Sequence, residues 1–237
     1  MPALAGIEPK ENKVALDMNF EASLNPNQRR EWDELNSPAQ IQAWLDLIPY
    51  STADFNRCPL QVMGERKANC FDGALLAAAR LRWLGYPPLI IDLLPEPGTD
   101  DDHILALFRR GSCWGAVAKS NYGGLRFREG VYHGLRELVM SYFEDYYNPE
   151  GQKTLRGYTR PLNLARFDRI NWEIDSQAIE AIESGLDRLR PVRLLAPGAP
   201  AELAAVDARS YQAGLMGSNP AGLFGAQVKN EPADTKE

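Results

Sequence analysis

Cysteine and histidine, the residue types used in thiol catalysis, are scarce in this chain of 237 residues, which has three cysteines and two histidines. Cys70 follows Asn69 at the predicted start of a helix, and His103 begins a predicted strand 33 residues later. The unpaired N–H groups and the dipole at a helix start favour the thiolate, which is the nucleophilic form of cysteine. A neighbouring histidine can hold that thiolate and later protonate a leaving group. We therefore predict Cys70 as a nucleophile and His103 as its base and acid.

A third residue is needed to orient the imidazole ring, and the segment 119–121 at the end of the next predicted strand offers candidates. In an antiparallel pair of strands, the residue numbers of facing positions add up to a constant, and side chains alternate between the two faces of the sheet. A two-residue turn at Gly111-Ser112 would place Ser120 on the face of His103, whereas a three-residue turn would place Asn121 there. We prefer Asn121, because its amide oxygen can accept the imidazole N–H, and keep Ser120 as the alternative.

The other cysteines and the acidic run have simpler interpretations. Cys58 and Cys113 are interpreted as structural, and His133 as an exposed or capping residue; Cys70 itself could be a small buried hydrophobic residue. The carboxylates of 100–102 are consecutive in an extended segment, so they cannot all face one ion. We interpret this run as a solvated turn and predict neither a metal nor a cofactor.

A loop rich in glycine, aromatic residues and arginine follows the candidate site, from 119 to 129. Arginine side chains there could bind an acidic or phosphate group of a substrate, or pair with Glu129 or Asp72. The glycines lack the order of a phosphate-binding loop. The predicted substrate-binding residues are Trp114, Ser120, Arg126 and Arg128.

Hydrophobic periodicity predicts the elements that position these residues, and the order helix, strand, strand, strand indicates an α+β fold. In it, a helix with cysteine at its start packs on an antiparallel sheet. Predicted helices begin at Ser37-Pro38, run from about Asn69 to Gly85, run from about Tyr132 to Tyr147, and include Ile179 to Leu189. Predicted strands are Leu89 to Leu94, His103 to Arg109 and Cys113 to Ala118, the last two joined by a hairpin.

The chain divides into three zones. Residues 1–36 are polar and are predicted to be a lead-in with little regular structure, and residues 37–190 form one domain. Residues 191–237 are rich in alanine, glycine and proline, with too few large apolar side chains to offset the entropy of ordering. We predict that this last zone is a disordered tail.

Composition narrows the class of protein. Hydrophobic residues make up 44% and charged residues 24% of the chain, as in soluble globular proteins. The net charge of −6 argues against a dedicated nucleic-acid binder. There is no apolar stretch of about 20 residues and no secretory signal. With an odd, small number of cysteines, these features predict a cytoplasmic protein with free thiols and no membrane partner.

Two segments of the chain resemble the transglutaminase-like superfamily, and the resemblance is to a member of the bacterial type. The first is Ala68-Asn69-Cys70-Phe71-Asp72-Gly73-Ala74-Leu75-Leu76, leading to Leu84-Gly85-Tyr86-Pro87. The second is His103-Ile104-Leu105-Ala106-Leu107-Phe108, followed by Gly111-Ser112-Cys113-Trp114-Gly115. The resemblance covers about residues 60–125 and implies a papain-like fold with a Cys-His-Asp/Asn site.

The same resemblance implies an activity. Cys70 would form an acyl-enzyme, making the protein a cysteine protease-like hydrolase or acyltransferase that acts on an amide or ester bond of a peptide, protein or small amide. The family has an aspartate a few residues after the tryptophan, and none follows Trp114 here. That absence favours the alternative, a catalytically inactive transglutaminase-like module that binds a peptide or protein partner.

Overall fold

The structure, a computed structural model, describes residues 19–196 and 198–226 and has an α+β fold. Its helices are α1 Pro26–Glu34, α2 Pro38–Leu47, α3 Pro59–Glu65, α4 Cys70–Trp83, α5 Leu135–Met140, α6 Ala178–Asp187 and α7 Ala208–Gly214. Its strands are β1 Leu89–Pro95, β2 His103–Arg110, β3 Cys113–Val117, β4 Arg128–Tyr132, β5 Leu155–Tyr158, β6 Leu162–Asn163 and β7 Val192–Arg193. Among the described residues, no helix has the length and apolar character needed to cross a membrane.

All strand pairs of the seven-stranded sheet are antiparallel, in the order β4-β3-β2-β1-β5-β7, with β6 also pairing with β1. Arg110 pairs with Cys113, so the predicted hairpin turn at Gly111-Ser112 has two residues, which is the alternative that favours Ser120 and not the preferred Asn121. Gly111 has a φ of +60°, a conformation that glycine adopts without strain.

The sheet separates two hydrophobic cores because side chains alternate along each strand. On β2, Ile104 and Ala106 belong to the core shared with α4. Leu105 and Leu107 belong to the second core, which is rich in tyrosine and lies beneath α5. His103 has the parity of Leu105, which directs its side chain to the second core and away from α4.

Helix α4 begins where the sequence predicts, because Asn69 and Asp72 cap it reciprocally. The Asn69 side chain accepts the N–H of Asp72 at 2.9 Å, and the Asp72 carboxylate accepts the N–H of Asn69 at 3.2 Å. The helix stops before Gly85, which has a φ of +91°. These caps fix Cys70 as the first helical residue.

The long helix predicted from Tyr132 to Tyr147 is wrong. The structure has only α5 there, followed by a short 3-10 turn, Phe143–Asp145. The apolar periodicity is real, but Tyr142 and Tyr146 are buried and each hydroxyl must find a partner. They donate to the carbonyl oxygens of Arg126 and Asp101, at 2.8 and 2.7 Å, which draws the chain out of the helical path.

The structure also corrects the two predictions at the ends of the chain. Part of the lead-in forms α1, which buries Trp32 completely; residues 1–18 lie outside the described residues. In the predicted tail, residues 191–196 and 198–226 are folded and include β7 and α7, whereas 227–237 lie outside the described part.

The C-terminal segment, residues 198–226, docks through backbone and tyrosine contacts together with a few partly buried apolar side chains, which are those of Leu203, Val206, Leu215 and Leu223. Tyr147 donates to the carbonyl oxygen of Ser210 at 3.1 Å, and Tyr211 donates to that of Pro149 at 2.8 Å. A Cβ on Gly214 would overlap the Tyr147 hydroxyl, so glycine permits the close approach. Composition alone does not predict this form of docking.

Candidate functional site

A cavity of about 730 Å³ opens at the start of α4, between α4, α6, the connection from β1 to β2 and the C-terminal segment. Residues that line it include Tyr50, Asn56, Asn69, Cys70, Asp92, Asp101, Asp102, Ile104, Glu183, Leu186, Asp187 and 221–225. We call it the acidic cavity, because five of its lining side chains are carboxylates and none of the described residues on its wall is lysine or arginine.

Two of these carboxylates, Asp92 and Asp102, act on each other. Asp92 pairs with Ile104 across β1 and β2, so its side chain is on the α4 face of the sheet. Burial and the charge of Asp102 raise the pKa of Asp92 to about 8, while burial and Asp101 raise the pKa of Asp102. Asp92 is 6% exposed, and its Oδ1 atom accepts no hydrogen bond from any described donor. The pair therefore retains a proton at neutral pH.

The Cys70 thiol lies in this acidic wall. It donates weakly to the carbonyl oxygen of Asp102, at 3.9 Å. Burial and the negative charges of Asp102 and Asp92 raise the pKa of Cys70 to about 12, although the N–H of Ile104 favours the thiolate. Burial, followed by the carboxylates, thus outweighs the effect of the helix start, and the thiol stays protonated at neutral pH. The nearby Tyr50 hydroxyl also has a raised pKa, because of its burial and the proximity of Cys70.

His103 is on the other side of the sheet from Cys70. Its Nε2 donates to the carbonyl oxygen of Leu125 at 2.7 Å, and its ring lies 6.5 Å from that of Tyr146. Burial lowers the pKa of His103 to about 4, so the ring is neutral at physiological pH. The structure does not bring the predicted nucleophile and base together, because strand parity places them on opposite faces.

Comparisons with known proteins give only weak likenesses. No protein-family model and no curated protein matches the chain. Among solved structures, EGTA-treated LapG of Legionella pneumophila aligns with 16% identity and a TM-score of 0.34, over 45% of this chain and 69% of LapG. A second LapG structure from the same organism aligns with 16% identity and a TM-score of 0.33, over 50% and 89% of the two chains.

Asn121, the preferred orienting residue, anchors the C-terminal segment instead. Its Nδ2 donates to the carbonyl oxygen of Asn219 at 2.8 Å, and its Oδ1 accepts the N–H of Asn219 at 2.7 Å. The two-residue turn gives Ser120 the parity of the His103 face, but β3 ends before it, and its hydroxyl accepts the N–H of Tyr122 at 3.0 Å. Neither side chain orients the His103 ring.

The predicted substrate-binding residues outside the 119–121 segment have structural partners. Arg126 pairs with Asp46 at 3.2 Å. Arg128 pairs with Asp145 at 3.3 Å and lies 4.0 Å from the centroid of the Tyr142 ring. Trp114 stacks beneath Arg109, at 4.7 Å. These three residues do not line the acidic cavity, although Arg126, Ser120 and Asn121 line a second cavity of about 450 Å³.

Sequence reasoning missed the carboxylates contributed by β1 and α6. Asp92 interrupts the apolar run Leu89 to Leu94, and an acidic residue inside a buried strand is itself a signal of a functional position. Glu183 and Asp187 are four residues apart and so share one face of α6. Nothing in the local pattern, however, indicates that this face meets the start of α4.

Proposed function

We propose that the protein is a binding module whose acidic cavity receives an amine or guanidinium group of a peptide or protein partner. The observation that carries this proposal is the wall of five carboxylates without a lysine or arginine among its described residues. Such a wall concentrates negative potential in a concave, partly desolvated space, which favours cations. A volume of about 730 Å³ suits an organic group of the size of a residue or short peptide.

The N–H donors of a cationic ligand would complement a carboxylate oxygen in the cavity wall that accepts no hydrogen bond from the described residues. Asp92 Oδ1 is buried without a donor among the described residues, and an N–H of an amine or guanidinium would supply one. No set of three acidic, cysteine or histidine side chains in the described ranges is close enough to hold one metal ion. The carboxylates are therefore arranged around the wall, which favours an organic cation with several N–H groups.

Within this proposal, the core is a transglutaminase-like, papain-like fold that is used for binding. The support is a helix that begins at cysteine and packs on an antiparallel sheet, as the sequence resemblance implies. The Cys-His chemistry of such a fold is not assembled, because Cys70 lines the acidic cavity whereas the His103 ring lies beside Tyr146 of the second core. The proposal therefore corresponds to the alternative of a catalytically inactive module that binds a peptide or protein partner, and it adds a preference for cationic groups.

Short peptides test the proposed cation preference by calorimetry. An acetylated, amidated tripeptide with a central arginine or lysine is expected to bind, and the matched glutamine tripeptide is not. Binding should weaken with salt, and Asp187→Asn should lower the affinity about tenfold because a charge-assisted contact is lost. The matched control, Glu144→Gln, changes an exposed carboxylate outside the cavity. Equal binding of the arginine and glutamine peptides would refute the charge preference.

A thiol hydrolase is the second candidate, favoured by the position of Cys70 at a helix start in the cavity wall. Alkylation by iodoacetamide, quantified for each cysteine between pH 5 and 9, distinguishes it from a binding module. We expect slow labelling of Cys70 near pH 6, because its raised pKa keeps it protonated, and no effect of His103→Gln. Rapid labelling near pH 6 that is slowed by His103→Gln would establish the activated thiol and displace the binding-module proposal.

A further inference from the structure

A cysteine and a histidine that sequence analysis treats as unrelated meet at the far end of the sheet. Cys113 begins β3, and His133 directly follows β4. Trp114 pairs with Tyr132, so Cys113 and His133 are the next facing positions along the same antiparallel pair. The Cys113 Sγ lies 3.6 Å from the His133 Nδ1, within hydrogen-bond range for sulfur.

The pair is accessible and locally held. Cys113 is half-buried and His133 is exposed, so a small reagent can reach the sulfur. The N–H of His133 donates to the Glu137 side chain at 2.8 Å, which fixes the backbone that carries the imidazole. Of the neighbouring charges, Arg110 pairs with Glu129 at 3.2 Å. The His133 ring supplies a polar group within hydrogen-bond range of the sulfur.

We propose that Cys113 and His133 form a reactive thiol–imidazole pair, which makes Cys113 a site of reversible mixed-disulfide formation with small disulfides. With its own proton on Nε2, His133 accepts the thiol proton at Nδ1. The thiolate attacks one sulfur of the disulfide, forming a new S–S bond as the old one breaks. The expelled thiolate takes the proton from the imidazolium and leaves as a thiol. Cys113 is oxidised, and the reagent is reduced to one thiol.

The other two cysteines serve as internal references within the same molecule. Cys58 is completely buried, and burial raises the pKa of its thiol. Cys70 lies in the acidic cavity, where burial and the neighbouring carboxylates raise the pKa of its thiol. At both sites the surroundings disfavour the thiolate, which is the nucleophilic form. Cys113, in contrast, has an imidazole nitrogen that can accept its thiol proton. The inference does not depend on the proposed binding function.

The test is the rate of mixed-disulfide formation at each cysteine of the full chain with bis(2-hydroxyethyl) disulfide, a neutral reagent, at pH 7. Mass spectrometry of peptides reports the three sites separately. In the native protein we expect Cys113 to react about tenfold faster than Cys58 and Cys70. His133→Leu, which removes the acceptor, should slow Cys113 about tenfold and leave the other sites unchanged.

Controls separate the pair from simple exposure. Glu144→Gln changes an exposed carboxylate that pairs with Lys153, keeps the imidazole and should leave the Cys113 rate close to that of the wild type. In guanidinium chloride the three cysteines should react alike, and His133→Leu should have no effect, because the contact is lost. An unchanged Cys113 rate in folded His133→Leu, verified by its thermal unfolding, would overturn the proposal and leave only an exposed thiol.

Discussion

Asp72→Ala is expected to lower the free energy of unfolding by about 3 kcal/mol, because it breaks a buried ion pair and removes one of the two reciprocal cap hydrogen bonds of α4. Asp72 is fully buried. It accepts the N–H of Arg57 at 2.6 Å and that of Asn69 at 3.2 Å, and it pairs with the Arg57 guanidinium at 3.3 Å. Its loss leaves donors without an acceptor in an apolar environment, which costs more than the pair contributes.

Arg57 keeps two partners in that variant, Glu65 and the Ser51 hydroxyl, to which its Nη1 donates at 3.1 Å, and they limit the expected loss. Its Nε remains paired with Glu65 at 2.7 Å, so the guanidinium is not left isolated. The effect is measured by urea unfolding at neutral pH, with Asp54→Ala as the control for an exposed aspartate in the same region. We expect the control to change stability by less than about 0.5 kcal/mol. A loss of similar size in both variants would show that the Asp72 network contributes little.

Local signals predict α4 and the β2–β3 hairpin correctly, because their causes are local. Asn69 is a cap residue, Gly85 supplies the left-handed conformation after the helix, and Gly111-Ser112 fits a two-residue turn. Each depends on neighbours within a few residues. The same local information gives the position of Cys70 at the helix start.

The pairing of Cys70 with His103 depends on a long-range choice that local patterns do not contain. Every residue from His103 to Phe108 is buried, so apolar character does not indicate which parity faces α4. The helix packs against the even positions, and His103 enters the tyrosine-rich core. Likewise, the C-terminal segment is held by contacts such as Asn121 with Asn219, which are 98 residues apart.

Asp92→Asn is expected to stabilise the protein at alkaline pH and to flatten the pH dependence of its stability. An aspartate has a pKa near 4 when unfolded, and in the folded chain burial and Asp102 raise the pKa of Asp92 to about 8. The folded state thus binds more protons between these values, so stability falls as pH rises from 4 to 8. Asparagine does not titrate, and it also relieves Asp102 of a like charge.

Between pH 6.5 and 8, Asp92 has the largest expected effect, and Lys119, whose pKa burial lowers to about 8, acts in the opposite direction and equally in both variants. Because burial lowers the pKa of His103 to about 4 in the folded chain, this residue reduces the stability of the protein only as pH falls below about 6.5. Asp100, with its pKa raised to about 6, has largely titrated by then. One proton corresponds to about 1.4 kcal/mol per pH unit, so we expect the wild type to lose about 1–2 kcal/mol across the window and Asp92→Asn to lose less than half of that.

Urea unfolding at several pH values measures the slope, with Asp54→Asn as an exposed control that should follow the wild type. Parallel slopes for Asp92→Asn and the wild type would mean that Asp92 ionises normally in the folded chain. If Asp92→Asn stabilises the protein and also loses the arginine peptide, the like-charged pair is retained at a cost to stability because a ligand needs it. A stabilised variant with unchanged peptide affinity would show that the electrostatic cost at Asp92 is unrelated to binding. The cation would then have to contact the outer carboxylates, Glu183 and Asp187.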